Sequence, residues 1–151
     1  MNLLREDVHI HAAPEAIFGR LRAPAEGGWF SRAFSAGENG ALAYDLGLPL
    51  RRERARLTVT SEEPPSLLVM EPTGEGGDGG DGGALLSLSW ALHSEAAGEV
   101  HVTVEAAYRL PGGPLGRLLE PLLEPLLWGP LRRQAYRDAL WRLKSLVEGR
   151  G

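Results

Sequence analysis

The chain has 151 residues, a formal net charge of −4 at pH 7 and no cysteine. That length is enough for one domain with a sizeable core, so we expect a single domain over residues 1–151. The acidic balance argues against a nucleic-acid-binding protein, and the lack of cysteine excludes disulfides, thiolate metal sites and a cysteine nucleophile. Charged residues interrupt the N-terminal segment, and no apolar run approaches the roughly 20 residues of a membrane span. We therefore expect a cytoplasmic protein without a membrane span.

Residues 4–34 predict one strand followed by two short helices. In "LREDVHIHA" the side chains of Val8 and Ile10 alternate with polar residues, which is typical of a half-buried strand. The segment "APEAIFGRLR" places Pro14 at a first helical position, and its apolar residues share one face. "PAEGGWFSRAF" predicts a second short helix or helical turn, weakened by its two glycines.

The middle of the chain predicts strands separated by turns. A brief strand in "ENGALAYDLG" precedes "RRERARLTVTSEE", which places Ala55, Leu57 and Val59 on one face, and then "PPSLLVMEP". Two long strands follow as an antiparallel hairpin with one apolar and one polar face. The apolar face of this hairpin is predicted to carry Leu86, Leu88, Trp90 and Leu92 on the first strand and Val100, Val102, Val104, Ala106 and Tyr108 on the second.

Glycine and acidic residues fill residues 74–83, "GEGGDGGDGG", between two of these strands. A phosphate-binding loop would need a helix and a Lys-Ser/Thr pair after it, and calcium-binding glycine repeats need several stacked turns. Because a strand pattern follows this single repeat, we expect a flexible hairpin loop.

The C-terminal part predicts one long helix. "GPLRRQAYRDALWRLKSLVEG" has a start signal at Gly129 and Pro130 and a stop signal at Gly149. An apolar stripe at helical spacing is formed by Leu131, Ala135, Ala139, Leu140, Leu143, Leu146 and Val147. Arg132, Arg133, Arg137 and Arg142 are expected largely off this stripe. A one-faced sheet needs a cover, and this helix is the long element available.

Together, the segments "VHIHAAPEAIFGRL", "GGWF" and "YRLPGGPLGRLLEPLLEPLLWGPLRRQAYRDALWRLKSLVEG" resemble the SRPBCC superfamily, also called START-like or helix-grip, in its polyketide cyclase/dehydrase and lipid-transport-like branch. The resemblance runs from about Val8 to Glu148 and depends on the order of the pieces. It implies an α+β fold in which a curved antiparallel sheet of six to seven strands wraps around a long C-terminal helix, with two short helices after the first strand. Six strands are clear in the sequence, so a seventh is expected between residues 31 and 50.

The resemblance also implies a cavity between sheet and helix. The residues expected to line it are Trp29, Phe30, Tyr44, Leu88, Trp90, Tyr108, Leu127, Trp128, Tyr136 and Leu140. An aromatic wall with a few hydroxyl donors suits a flat or elongated apolar ligand, although each residue taken alone also fits plain core packing. The proline-broken segment of residues 121–130 borders the cavity mouth in such folds, where core completion, a lid and a dimer contact remain alternatives.

For the histidines and the arginine row, the sequence supports only general expectations. His9, His11, His93 and His101 lie on polar strand faces, and the first strand neighbours the last in the implied topology. We expect solvated histidines, with a surface metal site as the alternative. A row of Arg52, Arg54 and Arg56 predicts a solvated face balanced by Glu53, Glu62, Glu63 or neighbours, with an anionic headgroup or acidic partner as the alternative.

We expect the protein to bind a hydrophobic small molecule such as a lipid, an isoprenoid or a polyketide-like ring, as a monomer or homodimer without a cofactor. No acid–base or nucleophile arrangement is evident, which favours binding over catalysis. A cyclase/dehydratase-type enzyme using the same cavity is the alternative, with Tyr44, Tyr108, Tyr136, Gln134 and Arg109 as candidate polar groups. A protein-interaction role is a third possibility.

Overall fold

The secondary structure follows the predicted order of elements. The structure, a computed structural model, describes residues 2–22, 34–36, 41–48, 51–72, 85–108 and 129–149. The elements in these ranges are β1 (Asn2–Ile10), α1 (Pro14–Arg22), β2 (Phe34–Ala36), β3 (Leu42–Leu48), β4 (Arg51–Glu63), β5 (Leu67–Pro72), β6 (Leu85–Ala96), β7 (Glu99–Tyr108) and α2 (Gly129–Val147). The second short helix, the glycine-rich loop and the segment of residues 121–128 lie outside the described residues.

One antiparallel sheet contains all seven of these strands, in the order β1-β7-β6-β5-β4-β3-β2. Strands β2 to β7 pair with their neighbours in the sequence, whereas β1 pairs with β7. The last strand in the sequence therefore pairs with the first. In this order β1 and β2 are the two outermost strands. The expected α+β architecture, a curved antiparallel sheet with a long C-terminal helix and a short helix after the first strand, is confirmed.

The seventh strand is β2, and it lies in the interval where the sequence left room for it. Phe34 pairs with Tyr44 and Ala36 pairs with Leu42 across β2 and β3. Three residues are too few to show an alternating pattern, so the sequence assigned Phe34 to the preceding helical segment. Its position at the end of the sheet is set by pairing with β3.

A bulge shifts the predicted apolar face of β6. The pairing of β6 with β7 slips between Leu85 and Ser87, and Leu85 rather than Leu86 is buried. A bulge adds one residue to one strand, so alternation read across it assigns the wrong face. The register of β4 also shifts, between Val59 and Ser61, but Val59 precedes this shift and pairs with the buried Met70, although it is itself 37% exposed.

Helix α2 covers the inner face of the sheet with the predicted stripe. Ala135, Ala139, Leu140 and Leu143 are fully buried, and Leu131, Leu146 and Val147 pack against the core. The helix ends as predicted, because Gly149 has a positive φ of 77° and its N–H donates to the carbonyl of Leu146. The prediction for Arg132 was wrong, since this residue is fully buried. Of the described helices, neither has the length and apolar character to cross a bilayer.

Candidate functional site

The predicted lining residues that the structure describes all face the interior between the sheet and α2. Their exposed fractions range from 0% to 7%, and they come from β3, β6, β7 and α2: Tyr44, Leu88, Trp90, Tyr108, Tyr136 and Leu140. Trp29, Phe30, Leu127 and Trp128 lie outside the described residues. The fold therefore brings six of the ten candidates to one inner face.

An aromatic cluster occupies part of this inner face. The ring centroids of Phe34 and Tyr44 are 5.3 Å apart, and the ring of Tyr136 lies 5.5 Å from Phe34 and 6.2 Å from Tyr44. Such spacings are typical of favourable aromatic pairs. Pairing of β2 with β3 positions the first two rings and helix α2 supplies the third. Phe34 was missed as a candidate because its strand was not recognised.

A buried guanidinium lies beside the aromatic residues. The Cζ atom of Arg132 is 4.0 Å from the centroid of the Tyr108 ring, and the whole side chain is inaccessible to solvent. A guanidinium tolerates such a position better than an ammonium because it is planar, weakly hydrated and stacks on aromatic faces. Arg132 lies four residues before Tyr136 and eight before Leu140, so helical spacing alone would have assigned it to the inner face.

Glu6 links β1 to α2. It lies two residues from both Leu4 and Val8, so it shares their inner face of the strand, and its carboxylate is buried. Arg133 Nη1 donates to Glu6 Oε2 at 3.0 Å, and Arg137 Nε donates to Glu6 Oε1 at 2.7 Å. The hydrogen bond to Glu6 and the charge of its carboxylate raise the pKa of Arg137 above its ordinary value. Both oxygens of Glu6 are thus used in holding the helix.

A second polar contact fixes the C-terminal end of α2. Lys144, the one lysine in the sequence, donates from Nζ to the carbonyl of His9 at 2.7 Å and to Glu148 Oε2 at 2.8 Å. The backbone N–H of His11 donates to the same carboxylate oxygen at 2.8 Å. The helix is therefore anchored to β1 at two places, about three turns apart, from Arg133 to Lys144.

The outer face of the sheet carries His9, His93 and His101 and the described part of the arginine row. His9 and His101 stack with ring centroids 4.4 Å apart, whereas His11 lies beside Glu148. Arg54 and Arg56 are exposed and, with Asp45, line a shallow groove of about 350 Å³ on β3 and β4. Arg54 pairs with Asp45 at 3.7 Å, while the predicted partner Glu62 pairs instead with Arg22 of α1. The side chain of Arg52 lies outside what the structure describes.

Two polar candidates remain. Gln134 is exposed on α2, and Arg109 lies outside the described residues. The six inner-face candidates are already covered by protein, so a ligand that contacts them must displace part of what covers them. The inner face has the composition of a ligand site and the packing of a core.

Solved structures share this fold over nearly the whole chain. The Aha1 dimer from Colwellia psychrerythraea matches with a TM-score of 0.63 and 17% identity, covering 100% of each chain. The protein TTHA0849 from Thermus thermophilus matches with a TM-score of 0.68 and 15% identity over 99% of each chain. The chain has the helix-grip fold. A point mutant of norcoclaurine synthase from Thalictrum flavum, in complex with a transition-state analogue, shares the helix-grip fold with a TM-score of 0.59 and 16% identity, over 99% of this chain and 95% of that one.

At these identities the likeness is one of fold. Neither a protein-family model nor a curated protein sequence matches the chain. The helix-grip structures above include a dimer and an enzyme, so the shared fold does not decide between binding and catalysis. That decision depends on the side chains of the inner face.

Proposed function

We propose that this protein binds a hydrophobic small molecule between the sheet and α2, as a single domain over the whole chain. The observation that carries the proposal is the inner face itself, which holds the aromatic cluster of Phe34, Tyr44 and Tyr136 and the buried guanidinium of Arg132 stacked on Tyr108. Small-molecule sites typically combine apolar and aromatic walls with a few polar groups that orient the ligand. A lipid, an isoprenoid or a polyketide-like ring has the apolar body that such walls accept.

Arg132 is the group that would recognise the polar end of this ligand. Burying a cation is costly, which is a reason to expect a polar or anionic group near it. The planar guanidinium can donate two parallel hydrogen bonds to a carboxylate or to paired oxygens. We therefore expect the ligand to have an apolar body and one oxygen-rich end directed towards α2.

A cyclase/dehydratase-type activity is the second candidate, and the same residue supports it. A guanidinium and tyrosine hydroxyls on an inner face could stabilise an enolate as it forms on a bound polyketone. Such a reaction also needs a base. Among the described residues, the histidines face outwards and Glu6 holds two arginines with its two oxygens. This arrangement favours binding without chemical change.

The first test is native mass spectrometry of the purified protein, followed by denaturing extraction and identification of any released molecule. Near-stoichiometric occupancy by an apolar compound would support the proposal, and the same spectra would report monomer or homodimer. An empty protein whose thermal midpoint does not respond to a panel of lipids, isoprenoids and aromatic polyketides would contradict it.

Two variants on one helix locate the site. Arg132→Met replaces the buried guanidinium with an apolar side chain, and Arg142→Met makes the same change at an exposed position of α2. We expect the first variant to bind the extracted ligand about tenfold more weakly or worse, because a charge-assisted pair is lost, and the second to bind as the wild type does. Equal binding by all three proteins would place the ligand elsewhere. Incubating the ligand with wild-type protein and following its mass by chromatography separates the two candidates, since only an enzyme alters the compound.

A further inference from the structure

Three histidines lie side by side on the outer face of the sheet. His101 of β7 is in register with His9 of β1 on one side and with His93 of β6 on the other. Their positions alternate with buried residues, so all three side chains point away from α2. The first pair stacks face to face, with centroids 4.4 Å apart and an interplanar angle of 24°. Cross-strand pairing alone thus gathers imidazoles that are distant in the sequence.

Glu95 completes a set of metal-ligating atoms at this place. Its Oε1 lies 2.8 Å from His9 Nε2, and its Oε2 lies 4.0 Å from His101 Nδ1. One ligating atom from each of these three residues lies within 4.8 Å of the other two. Tetrahedral coordination at about 2.1 Å requires ligand atoms about 3.4 Å apart, which small rotations of exposed side chains can provide.

Asp7 fixes the ring of His101 in a form that can bind a metal ion. His101 Nε2 lies 2.7 Å from Asp7 Oδ2. A carboxylate only accepts hydrogen bonds, so Nε2 carries the proton, and in the neutral ring Nδ1 presents a lone pair towards Glu95. A carboxylate that holds the far nitrogen of a ligating histidine is the usual outer partner in protein metal sites. Two histidines that met only by chance would not need this partner.

We propose that His9, His101 and Glu95 bind a divalent transition-metal ion and that Asp7 orients His101. Zinc is the ion that we expect. The ligands would be His9 Nε2, His101 Nδ1 and a carboxylate oxygen of Glu95. His9 would bind as the tautomer that carries its proton on Nδ1, so that Nε2 offers a lone pair to the ion in place of the N–H that it donates to Glu95. Two imidazoles and a carboxylate are a donor set that zinc accepts, and the solvent-exposed position leaves its fourth site to water.

The ion would connect three strands at one end of the sheet. Its ligands come from β1, β6 and β7, and β1 is the strand to which helix α2 is anchored through Glu6 and His9. The side chain of His9 would bind the ion, and its backbone carbonyl already accepts the hydrogen bond from Lys144 of α2. Binding is therefore expected to raise the thermal midpoint of the whole domain, because an ion that binds only the folded state stabilises it.

The test is calorimetric titration of the full chain with zinc chloride after treatment with a chelator, at about pH 7.5, where imidazole nitrogens are available to a metal ion. The wild type should bind one ion per chain. His101→Gln and Glu95→Gln each remove a ligand and should weaken binding about tenfold or more, and Asp7→Asn should weaken it by roughly 10- to 100-fold. His11→Gln is the matched control, because it removes an exposed histidine that lies beside Glu148.

Before the titration, circular dichroism at the titration temperature checks that each variant is folded. Cobalt provides a second readout, since four-coordinate cobalt absorbs strongly in the visible range and is expected to do so with the wild type and the His11 variant only. The proposal is overturned if wild-type protein binds no zinc, if His101→Gln binds as tightly as the wild type, or if His11→Gln loses as much affinity as His101→Gln.

Discussion

Leu140 offers the sharpest test of how the inner face is packed. This leucine of α2 is 0% exposed and belongs to the core between helix and sheet. Truncation to alanine removes its buried carbons and leaves a cavity, which together cost about 3 kcal/mol at closely packed sites. For a chain of this length each kcal/mol lowers the thermal midpoint by roughly 2 to 4 °C, so Leu140→Ala should lower it by roughly 6 to 12 °C.

The control is the same substitution at Leu3 of β1, which is 59% exposed. Little of its surface is removed from water, so Leu3→Ala should cost under about 1 kcal/mol. Urea unfolding followed by tryptophan fluorescence, with the buried Trp90 as a reporter, gives both free energies of unfolding. A loss below about 1 kcal/mol at Leu140, equal to that at Leu3, would refute the packing argument. It would mean that Leu140 borders a space that is already open.

Three further predictions concern the backbone and the polar anchors. Gly19 in α1 and Gly98 in the β6–β7 turn both have open space where a Cβ would lie, but only Gly98 has a positive φ, of 72°. Gly19→Ala should therefore raise the free energy of unfolding by about 0.5 to 1 kcal/mol, and Gly98→Ala should lower it by about 1 kcal/mol. Urea unfolding measures both values, and changes of the same sign would contradict the argument. Lys144→Met should cost about 2 kcal/mol in the same assay, because the Glu148 carboxylate and the His9 carbonyl each lose one donor, whereas Lys144→Arg should retain most of the stability. Glu6→Gln should lower the thermal midpoint by an amount that shrinks as salt is added, and a salt-independent loss would show that charge is not the cause.

The sequence predicted the elements whose signals are local. Alternation identified β1 and β7, and the glycine and proline signals gave both ends of α2. β2 has three residues, too few for a periodic pattern, and its pairing with β3 is a tertiary contact. The bulge that buries Leu85 also depends on the partner strand, and nothing in β6 alone indicates where the register slips.

Inner-face residues were predicted where an apolar or aromatic side chain coincided with an inward position in the helix or strand. An inward position that carries a charged side chain was missed. Tyr136 and Leu140 were expected on the inner face and are buried there. Arg132 lies on the same helical stripe, but its charge led to an outward assignment, because arginine is rarely buried without a partner. The stacking of its guanidinium on Tyr108 needs a contact between α2 and β7 that no local pattern contains.

The two faces of strand β1 border the two proposed sites, so the sites can be tested separately. Its even-numbered residues, among them Glu6, face α2, and its odd-numbered residues, among them Asp7 and His9, face outwards. A variant at Asp7 should therefore alter zinc binding and leave ligand binding intact, and a variant at Arg132 should do the reverse. Residues that alternate along one strand share its backbone and little else, so coupling between the two sites would have to pass through the His9 carbonyl and Lys144. If zinc changes the affinity for the ligand in the wild type but not in Lys144→Met, that contact is the route.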